Sequence, residues 1–454
     1  MSFISSLSGA QVLLFGAGVT GKPTEDFLRD HGAKVTVLDE NKTGAGVINS
    51  IEGLTFDSFL FAIVSPGWKP THPWVIAVKN SRLEIISEID LAWRVRNEIA
   101  PHQRWIGLTG TNGKTTTVQM AEAIALKANI EAQSCGNVGT TVIEAVMAGE
   151  ADLLILELSS FQLEWSHEFR LESAAILNIA PDHIDWHGSF EAYASAKFTI
   201  GDRSKALILN RSDEEIVTRS HSVRIPIHFF SLNTPSNHEI GLVENLAIDR
   251  AFISGDAEVL FELSDLNPAA PHNVLNAMAA AALLRSIGIP AEPISQALRE
   301  FKLDHHRLEL VAEKDGISWI DDSKATNPHA ALAALQSQLR VIWIAGGLAK
   351  GAEMNSLVRA MGSRIKAAIL IGTDAHLIES ALKEHAPHVQ RIVTDPSLKG
   401  APLMRDVVGR AAKIAEKGDS VLLAPACASM DQFANYAERG ELFAAAVREI
   451  INGK

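Results

Sequence analysis

The segment at residues 109–117, Thr-Gly-Thr-Asn-Gly-Lys-Thr-Thr-Thr, has the residue types of a loop that binds nucleotide phosphates. Its small residues and glycines let backbone N–H groups point at phosphate oxygens, and Lys114 adds a cation. The hydroxyl of Thr115 is a possible Mg²⁺ ligand. An apolar stretch precedes the loop, and a helical pattern from Val118 to Ala128 follows it. The segment predicts an ATP site, and a structural turn without nucleotide is the alternative.

The glycine spacing of this loop is unusual. The common pattern GxxxxGK[ST] would put glycine at position 108, where the chain has Leu108 between Gly107 and Gly110. The loop is therefore a variant of the general phosphate loop. The residues predicted to contact ATP here are Gly110, Thr111, Asn112, Gly113, Lys114, Thr115 and Thr116.

A second glycine-rich turn lies at residues 16–21, Gly-Ala-Gly-Val-Thr-Gly, after the apolar residues 12–15. Asp39 ends the next strand pattern, at about the distance expected of an acid that binds a ribose. Alone, this pattern indicates NAD. The same turn can hold the pyrophosphate of any nucleotide diphosphate or be purely structural, and Asp39 could equally be a turn residue.

A third group contains carboxylates and histidines. Glu157 closes the apolar stretch 153–156, and ligands of parallel α/β sheets lie beyond the carboxyl ends of strands, so Glu157 is a candidate for Mg²⁺ binding. His183 and His187 lack the HExxH pattern and have no nearby cysteine, which disfavours zinc. On spacing alone, each histidine is more typical of a loop or a helix cap.

A fourth group consists of Arg307 and the polar run at residues 320–328, which follows a strand-like stretch at 317–320. The run is denser in polar groups than a solvated turn needs, although a turn is the alternative. Lys350 and Ser429 also follow apolar stretches and could face a cleft.

Composition narrows the class of protein. The 454 residues suggest about three domains, and 47% apolar with 21% charged residues is typical of a folded protein. No apolar stretch or N-terminal leader predicts membrane insertion or secretion. Cys135 and Cys427 are too far apart in sequence for a disulfide framework, which favours the cytoplasm. The net charge of -13 disfavours nucleic acid as a partner.

Three times a short apolar strand runs into a glycine-rich turn, at residues 12–15, 105–108 and 341–344. Strand-like and helical patterns alternate between them, which predicts an α/β fold of three domains with mainly parallel sheets. A buried helix is predicted over Asn273 to Ser286. The predicted domains are a Rossmann-like domain at 1–99, a central P-loop ATPase-like domain at 100–303 and a C-terminal Rossmann-like domain at 304–454.

Taken together, these motifs resemble those of the Mur ligase family, in the family's order and over essentially the whole chain. Residues 109–117 resemble its ATP loop, 195–197 the segment with its modified lysine, and 322–327 its third-domain motif. Residues 158–163 and 425–433 are similar to those of the member that adds D-glutamate. The resemblance implies ATP-dependent ligation of D-glutamate to UDP-N-acetylmuramoyl-L-alanine through an acyl phosphate, with release of ADP and phosphate, in peptidoglycan precursor synthesis.

The resemblance also implies residue roles. The first glycine turn would hold the UDP part of the substrate rather than NAD. The implied UDP-substrate residues are Val19, Thr20, Asp39, Ser65, Pro66, Gly67, Asn137, Ser159, Gln162 and His183. Further ATP contacts would come from the His272–Asn273 pair, Arg307, Asp322 and Lys324. D-glutamate would be bound by Thr326, Lys350, Ser429 and Tyr436.

Two Mg²⁺ sites are implied, with Thr115, Glu157, His183 and Lys197 as ligands, and the catalytic residues would be Lys114, Glu157, His183 and Lys197. Free lysine has a pKa of about 10.4 and, as a cation, is a poor Mg²⁺ partner. Reaction with CO₂ would give Lys197 a carbamate, which reverses the charge and offers oxygen ligands. Without the resemblance, a surface or phosphate-pairing lysine would be favoured.

Three other functions compete with this prediction. A dehydrogenase would use the first turn for NAD but would leave the ATP loop unexplained. A folate polyglutamate synthase would share the architecture and take a pteroate substrate with L-glutamate. A nucleotide-binding regulator would bind ATP without turnover. The predicted partners are small molecules only, and the chain is predicted to be a monomer.

Overall fold

The computed structural model describes residues 2–44, 46–253 and 255–452. It divides into two compact units. The first comprises Met1–Ile179, Trp186–Ala269 and Asn273–Phe301, and the second comprises Ala180–Asp185, Ala270–His272 and Lys302–Lys454. The predicted boundary near residue 303 lies close to the start of the last segment, whereas the first unit continues through residue 99. The three-domain division stays a prediction.

The first unit contains two sheets. The first sheet is parallel, and its strands follow the order Val47–Ile48, Lys34–Leu38, Gln11–Phe15, Phe61–Val64 and Ile85–Ile86. The strands of the second sheet follow the order Glu258–Glu262, Leu246–Asp249, Glu239–Val243, Ile227–Phe230, Leu207–Asn210, Ala174–Ile176, Arg104–Thr109, Leu153–Glu157 and Ala132–Gly136. This sheet is parallel except at Leu246–Asp249, which pairs antiparallel with both neighbours.

The second unit contains the third sheet, with strand order Glu309–Lys314, Ile317–Asp321, Ser420–Leu423, Val341–Gly346, Ile365–Ile371 and Gln390–Val393. Its first pair is antiparallel and the other pairs are parallel. Central strands such as Val341–Gly346 are buried along their whole length. Parallel strands are covered by helices on both faces, which explains their continuous apolar runs.

The α-helices are Phe3–Leu7, Gly21–Asp30, Pro73–Asn80, Glu88–Ile99, Lys114–Lys127, Val142–Ala148, Ser160–Trp165, Ile184–His187, Phe190–Phe198, Glu214–Ser220, Pro271–Arg285, Glu292–Glu300, Pro328–Gln336, Asn355–Met361, Ala375–His385, Gly400–Ile414 and Tyr436–Ile451. Short 3₁₀ turns lie at Phe56–Ser58, Gly201–Arg203, Leu263–Asp265 and Gly362–Arg364. The predicted α/β class with mainly parallel sheets is confirmed.

Two buried carboxylates at the start of the helix Glu88–Ile99 bind backbone N–H groups of other segments of the first unit. Glu88 Oε1 accepts the backbone N–H of Ile143 at 2.6 Å, and Asp90 accepts the backbone N–H of His167 at 3.0 Å. Glu88 and Asp90 are both buried. Burial raises the pKa of Glu88 to about 7, although the N–H of Ile143 favours its charged form. The folded chain therefore keeps a proton on this carboxyl up to about pH 7, whereas the unfolded chain releases it near pH 4.5.

We expect Glu88→Gln to be more stable than the wild type at pH 8, by on the order of 3 kcal/mol. A carboxyl whose pKa is raised on folding contributes fully to stability below its unfolded pKa of about 4.5, and that contribution is lost as pH rises through the folded pKa of about 7. Glutamine keeps an oxygen for the Ile143 N–H but does not titrate. The measurement is the thermal midpoint at pH 5 and pH 8, with the exposed Glu150→Gln as control; identical pH dependence in all three proteins would contradict the expectation.

Candidate functional site

The predicted ATP loop connects a buried strand to a helix N-terminus in the first unit. Residues 110–113 link Arg104–Thr109 to Lys114–Lys127. Gly113 has φ of 84°, and a Cβ atom there would lie 2.4 Å from Asn276 Oδ1, so this position requires glycine. The predicted helix start at Val118 is wrong: the helix begins four residues earlier, so Lys114 lies in its first turn. A helix N-terminus with exposed N–H groups favours bound phosphate.

The loop is held by hydrogen bonds to its own backbone. Lys114 Nζ donates to Gly110 O at 2.9 Å and to Thr111 O at 3.1 Å. Asn178 accepts the Asn112 N–H at 2.8 Å and donates to Asn112 O at 3.0 Å. The sequence does not reveal this role of Asn178, because the asparagine lies 66 residues from the loop and carries no local motif.

Lys197 reaches the ATP loop from the helix Phe190–Phe198. Its side chain is buried, with 2% of the residue exposed, and its Nζ donates to Gly110 O at 2.9 Å. Nζ also lies 4.7 Å from the ring centre of Tyr193, whose hydroxyl bonds to Thr111 Oγ1 at 2.8 Å. The lysine that the resemblance singled out therefore contacts the same loop that the sequence assigned to ATP.

Glu157 is the last residue of the strand Leu153–Glu157, and it is aligned with Leu108 in the strand that leads into the ATP loop. Its carboxylate is buried, and Oε1 accepts from Asn137 Nδ2 at 2.9 Å. Oε2 is also buried and has no hydrogen-bond partner among the described residues. A buried carboxylate oxygen without a partner is costly, so this atom fits a cation, and Mg²⁺ prefers oxygen ligands.

The first glycine turn lies at the carboxyl edge of the first sheet. Gly16 has φ of 95°, and a Cβ atom there would lie 3.1 Å from Ser65 Oγ. Ser65 Oγ is itself buried with no hydrogen-bond partner among residues 2–44, 46–253 and 255–452. Val19 is 85% exposed, and Thr20 precedes the helix Gly21–Asp30 without capping it through its side chain. The turn thus has the polar groups and the helix N-terminus that a phosphate ligand needs.

Asp39 has a clear local role. Its carboxylate accepts the backbone N–H groups of Ala17 at 2.9 Å, Asn41 at 2.9 Å and Lys42 at 3.0 Å. Partial burial alone would raise the pKa of Asp39, but these three hydrogen bonds hold it below its ordinary value. Asp39 is therefore a turn residue, which was one of the two roles that the sequence allowed. Its predicted contact with a ribose stays a prediction.

The other predicted UDP-substrate residues of this unit follow the ends of neighbouring strands. Pro66 and Gly67 follow Phe61–Val64, and Gly67 O accepts from Trp186 Nε1 at 3.3 Å. Asn137 follows Ala132–Gly136.

Ser159 and Gln162 form a capping box on the helix Ser160–Trp165. The Gln162 N–H donates to Ser159 Oγ at 3.2 Å, and the Ser159 N–H donates to Gln162 Oε1 at 2.9 Å. Ser followed three residues later by Gln is the sequence signature of this cap, and it was not among the predicted features. His187, the last residue of the helix Ile184–His187, pairs with Ser160 Oγ at 2.9 Å, and its role stays a prediction.

His183 belongs to the segment Ala180–Asp185 of the second unit. Its φ is 53°, its N–H donates to Asp182 Oδ1 at 2.9 Å, and its side chain is 38% exposed. His272 lies in the same unit. Burial, with a smaller effect from Arg307, lowers the pKa of His272 to about 4 and leaves it neutral at pH 7. Asn273, in the first unit, donates to Pro268 O at 3.2 Å.

The predicted third-domain residues gather at one sheet edge of the second unit. The strand Ser420–Leu423 lies between Ile317–Asp321 and Val341–Gly346, so the loops that follow these parallel strands end on the same edge. These loops carry Asp322, Lys324, Thr326, Lys350 and Ser429. Ser429 is buried and Lys350 is exposed with φ of 50°.

Lys324 and Tyr436 are in direct contact within that edge. Lys324 Nζ lies 3.8 Å from the centre of the Tyr436 ring, and Tyr436 is the first residue of its helix. Asp322 Oδ1 accepts the Leu308 N–H at 3.3 Å, one residue after Arg307. Burial raises the pKa of Asp322. Lys324, which is predicted to contact ATP, and Tyr436, which is predicted to bind D-glutamate, are therefore neighbours.

The chain is similar to known proteins in its central and its C-terminal parts. The family model "Mur ligase middle domain" matches residues 108–284, and "Mur ligase, glutamate ligase domain" matches residues 306–427. The UDP-N-acetylmuramoylalanine–D-glutamate ligase of Thermobifida fusca is 45% identical over 98% of this chain and 99% of its own length. The protein of the same name from Streptomyces coelicolor is 43% identical over 98% and 99%.

Among solved structures, the MurF ligase of Thermotoga maritima in complex with ADP matches with a TM-score of 0.60 at 15% identity, covering 97% of that chain and all of this one. At that identity the likeness shows the fold alone. The chain belongs to the Mur ligase family, and it is a ligase. Family membership favours this class over the dehydrogenase alternative. Within the described residues, no helix is long and apolar enough to cross a membrane.

Proposed function

We propose that this chain joins D-glutamate to UDP-N-acetylmuramoyl-L-alanine at the expense of ATP, releasing ADP and phosphate, in peptidoglycan precursor synthesis. The observation that carries the proposal is the contact of Lys197 Nζ with Gly110 O of the ATP loop, beside the strand that ends in the buried Glu157. The relatives at 45% and 43% identity, which bear this activity in their names, support the choice of substrates.

The phosphoryl transfer follows from the ATP loop. The substrate carboxylate attacks the γ-phosphorus in line, the bond from phosphorus to the β–γ bridging oxygen breaks, and ADP leaves. Lys114, whose Nζ bonds the loop carbonyls of Gly110 and Thr111, would turn to the γ-phosphate oxygens and offset their growing charge. The product is an acyl phosphate.

Thr115, Glu157 and carbamylated Lys197 are the proposed Mg²⁺ ligands in the first unit, and His183 is the proposed ligand in the second. Bound Mg²⁺ would supply positive charge at the phosphate oxygens. Oε2 of Glu157, which has no hydrogen-bond partner in the part of the chain that the structure describes, supports this assignment. A carbamate on Lys197 retains one N–H, so the hydrogen bond to Gly110 O is compatible with the modification.

The second step forms the amide bond. The neutral amine of D-glutamate attacks the acyl phosphate carbonyl, its proton leaves, and phosphate is expelled. His183 is one candidate to accept that proton. The sheet edge with Thr326, Lys350, Ser429 and Tyr436 is the proposed D-glutamate site. The predicted cytoplasmic location, monomeric state and three-domain division remain predictions.

The decisive experiment is a phosphate-release assay that crosses UDP-N-acetylmuramoyl-L-alanine and a pteroate substrate with D- and L-glutamate. We expect release only with the UDP substrate and D-glutamate together. Release with pteroate and L-glutamate would identify a folate polyglutamate synthase. ATP binding without release in any combination would identify a regulator.

We expect Lys197→Ala to lose at least about 99% of phosphate release, roughly 3 kcal/mol of transition-state stabilisation, and to regain part of it with added acetate or propionate. The small acid would restore carboxylate oxygens in the space that the side chain leaves. Lys205→Ala is the control and should behave as wild type, because Lys205 is exposed, lies seven residues after the end of that helix and pairs with Glu172. Full activity of Lys197→Ala would refute the carbamate proposal.

A further inference from the structure

Arg439 is a fully buried cation in the second unit. It is 0% exposed, in the first turn of the helix Tyr436–Ile451. Burial lowers its pKa to about 10, so it stays charged at neutral pH. Buried arginines are normally paired with carboxylates because desolvation of the charge is expensive. The carboxylates of Asp321 and Asp431 favour the charge of Arg439 through space. Its described hydrogen bonds go to Ser323 Oγ, Ser323 O and Cys427 O, at 3.0, 2.9 and 3.2 Å.

These acceptors belong to two different loops. Ser323 lies between Asp322 and Lys324, the segment proposed to meet the nucleotide, and Cys427 lies two residues before Ser429 in the proposed D-glutamate loop. Ser323 Oγ in turn donates to Tyr436 O at 2.7 Å. One planar guanidinium therefore fixes the nucleotide segment, the D-glutamate loop and the start of the helix relative to one another.

Gly440, the next residue of the helix, lies close to two further side chains of this region. A Cβ atom on Gly440 would lie 2.2 Å from His306 Nδ1 and 2.6 Å from Asp321 Oδ2. Those two side chains are bonded to each other at 2.7 Å. His306 precedes Arg307, and Asp321 precedes Asp322, so the helix packs closely against the pair that adjoins both predicted nucleotide residues in the chain.

We propose that Arg439 is a positioning residue that sets the spacing between the nucleotide segment 322–324 and the D-glutamate segment 427–436. The inference rests on the proposed function for the identity of the two ligands. Misplacement of reacting groups by about 1 Å can cost about 10²-fold in rate. Because the guanidinium of Arg439 fixes both loops, its loss is expected to change both KM and kcat. Lysine keeps the charge but cannot reproduce the fork, because its ammonium is a single point donor.

The test compares Arg439→Lys with Arg448→Lys, an exposed arginine on the same helix. Kinetics are measured by phosphate release with the UDP substrate saturating and with D-glutamate and ATP varied in turn. We expect Arg439→Lys to raise KM for D-glutamate at least about tenfold and to lower kcat about tenfold or more, while Arg448→Lys matches wild type. Loss of folded protein alone would lower kcat without moving KM.

Ser323→Ala removes the shared hydroxyl and supplies a second, milder variant. We expect it to raise KM for D-glutamate in the same direction, and the double variant to show less than the product of the two single effects, because both act in one network. If Arg439→Lys does not fold, Ser323→Ala decides the matter.

An unchanged KM for D-glutamate, within twofold, in folded Arg439→Lys or in Ser323→Ala would overturn the proposal. If wild-type enzyme releases phosphate with an amino acid other than D-glutamate, the proposed function is wrong. The same KM measurements with that amino acid would then decide the role of Arg439.

Discussion

Lys114→Ala is expected to abolish turnover, with kcat/KM reduced at least about 10³-fold, which corresponds to about 4 kcal/mol of transition-state stabilisation. The ammonium lies in the first turn of the helix that follows the ATP loop, within hydrogen-bonding distance of Gly110 O and Thr111 O. No other lysine or arginine lies among loop residues 110–113, so the variant loses the local cation that offsets charge on the γ-phosphate.

The measurement is steady-state phosphate release with both other substrates saturating, together with ATP affinity by calorimetry. Lys127→Ala is the matched control, because Lys127 lies in the last turn of the same helix and its side chain forms an exposed ion pair with Glu300. That control should retain activity within about twofold, since surface ion pairs contribute little. Turnover above a tenth of the wild-type value in Lys114→Ala would show that another group supplies the charge.

Glu157→Gln is expected to lower kcat about 10²-fold and to raise the Mg²⁺ concentration at half-maximal activity at least about tenfold. Glutamine has the same shape and can still accept from Asn137 Nδ2, so the packing of the strand end is preserved. What changes is the buried, unpartnered oxygen Oε2, which becomes neutral or is replaced by an amide nitrogen. A cation held there would lose a charged ligand.

Titration of activity with Mg²⁺ separates this effect from simple misfolding, because excess metal should recover part of the loss. Glu150→Gln, an exposed position just before the same strand, is the control. A Mg²⁺ dependence identical to that of wild type in Glu157→Gln would remove Glu157 from the metal site. A loss of thermal stability of many degrees would instead indicate that Glu157 is mainly structural.

The chain itself specified much of the fold. The apolar stretches at residues 12–15, 105–108 and 341–344 correspond to the observed strands Gln11–Phe15, Arg104–Thr109 and Val341–Gly346. Such runs are legible because parallel strands are buried on both faces. The start of the helix after the ATP loop could not be predicted, because threonines have low helix propensity. Only the geometry of the loop places Lys114–Thr117 in the first helical turn.

The sequence by itself also identified the candidate ATP loop, since glycine, lysine and threonine at fixed spacing carry their chemistry locally. Only the tertiary structure decided which distant residues meet that loop. Lys197 reaches Gly110 across 87 positions, and Asn178 reaches Asn112 across 66. Such contacts depend on which strands are neighbours in the sheet, and a local pattern contains no information on that order. The same reason hid the role of Arg439, whose acceptor Ser323 lies 116 positions away.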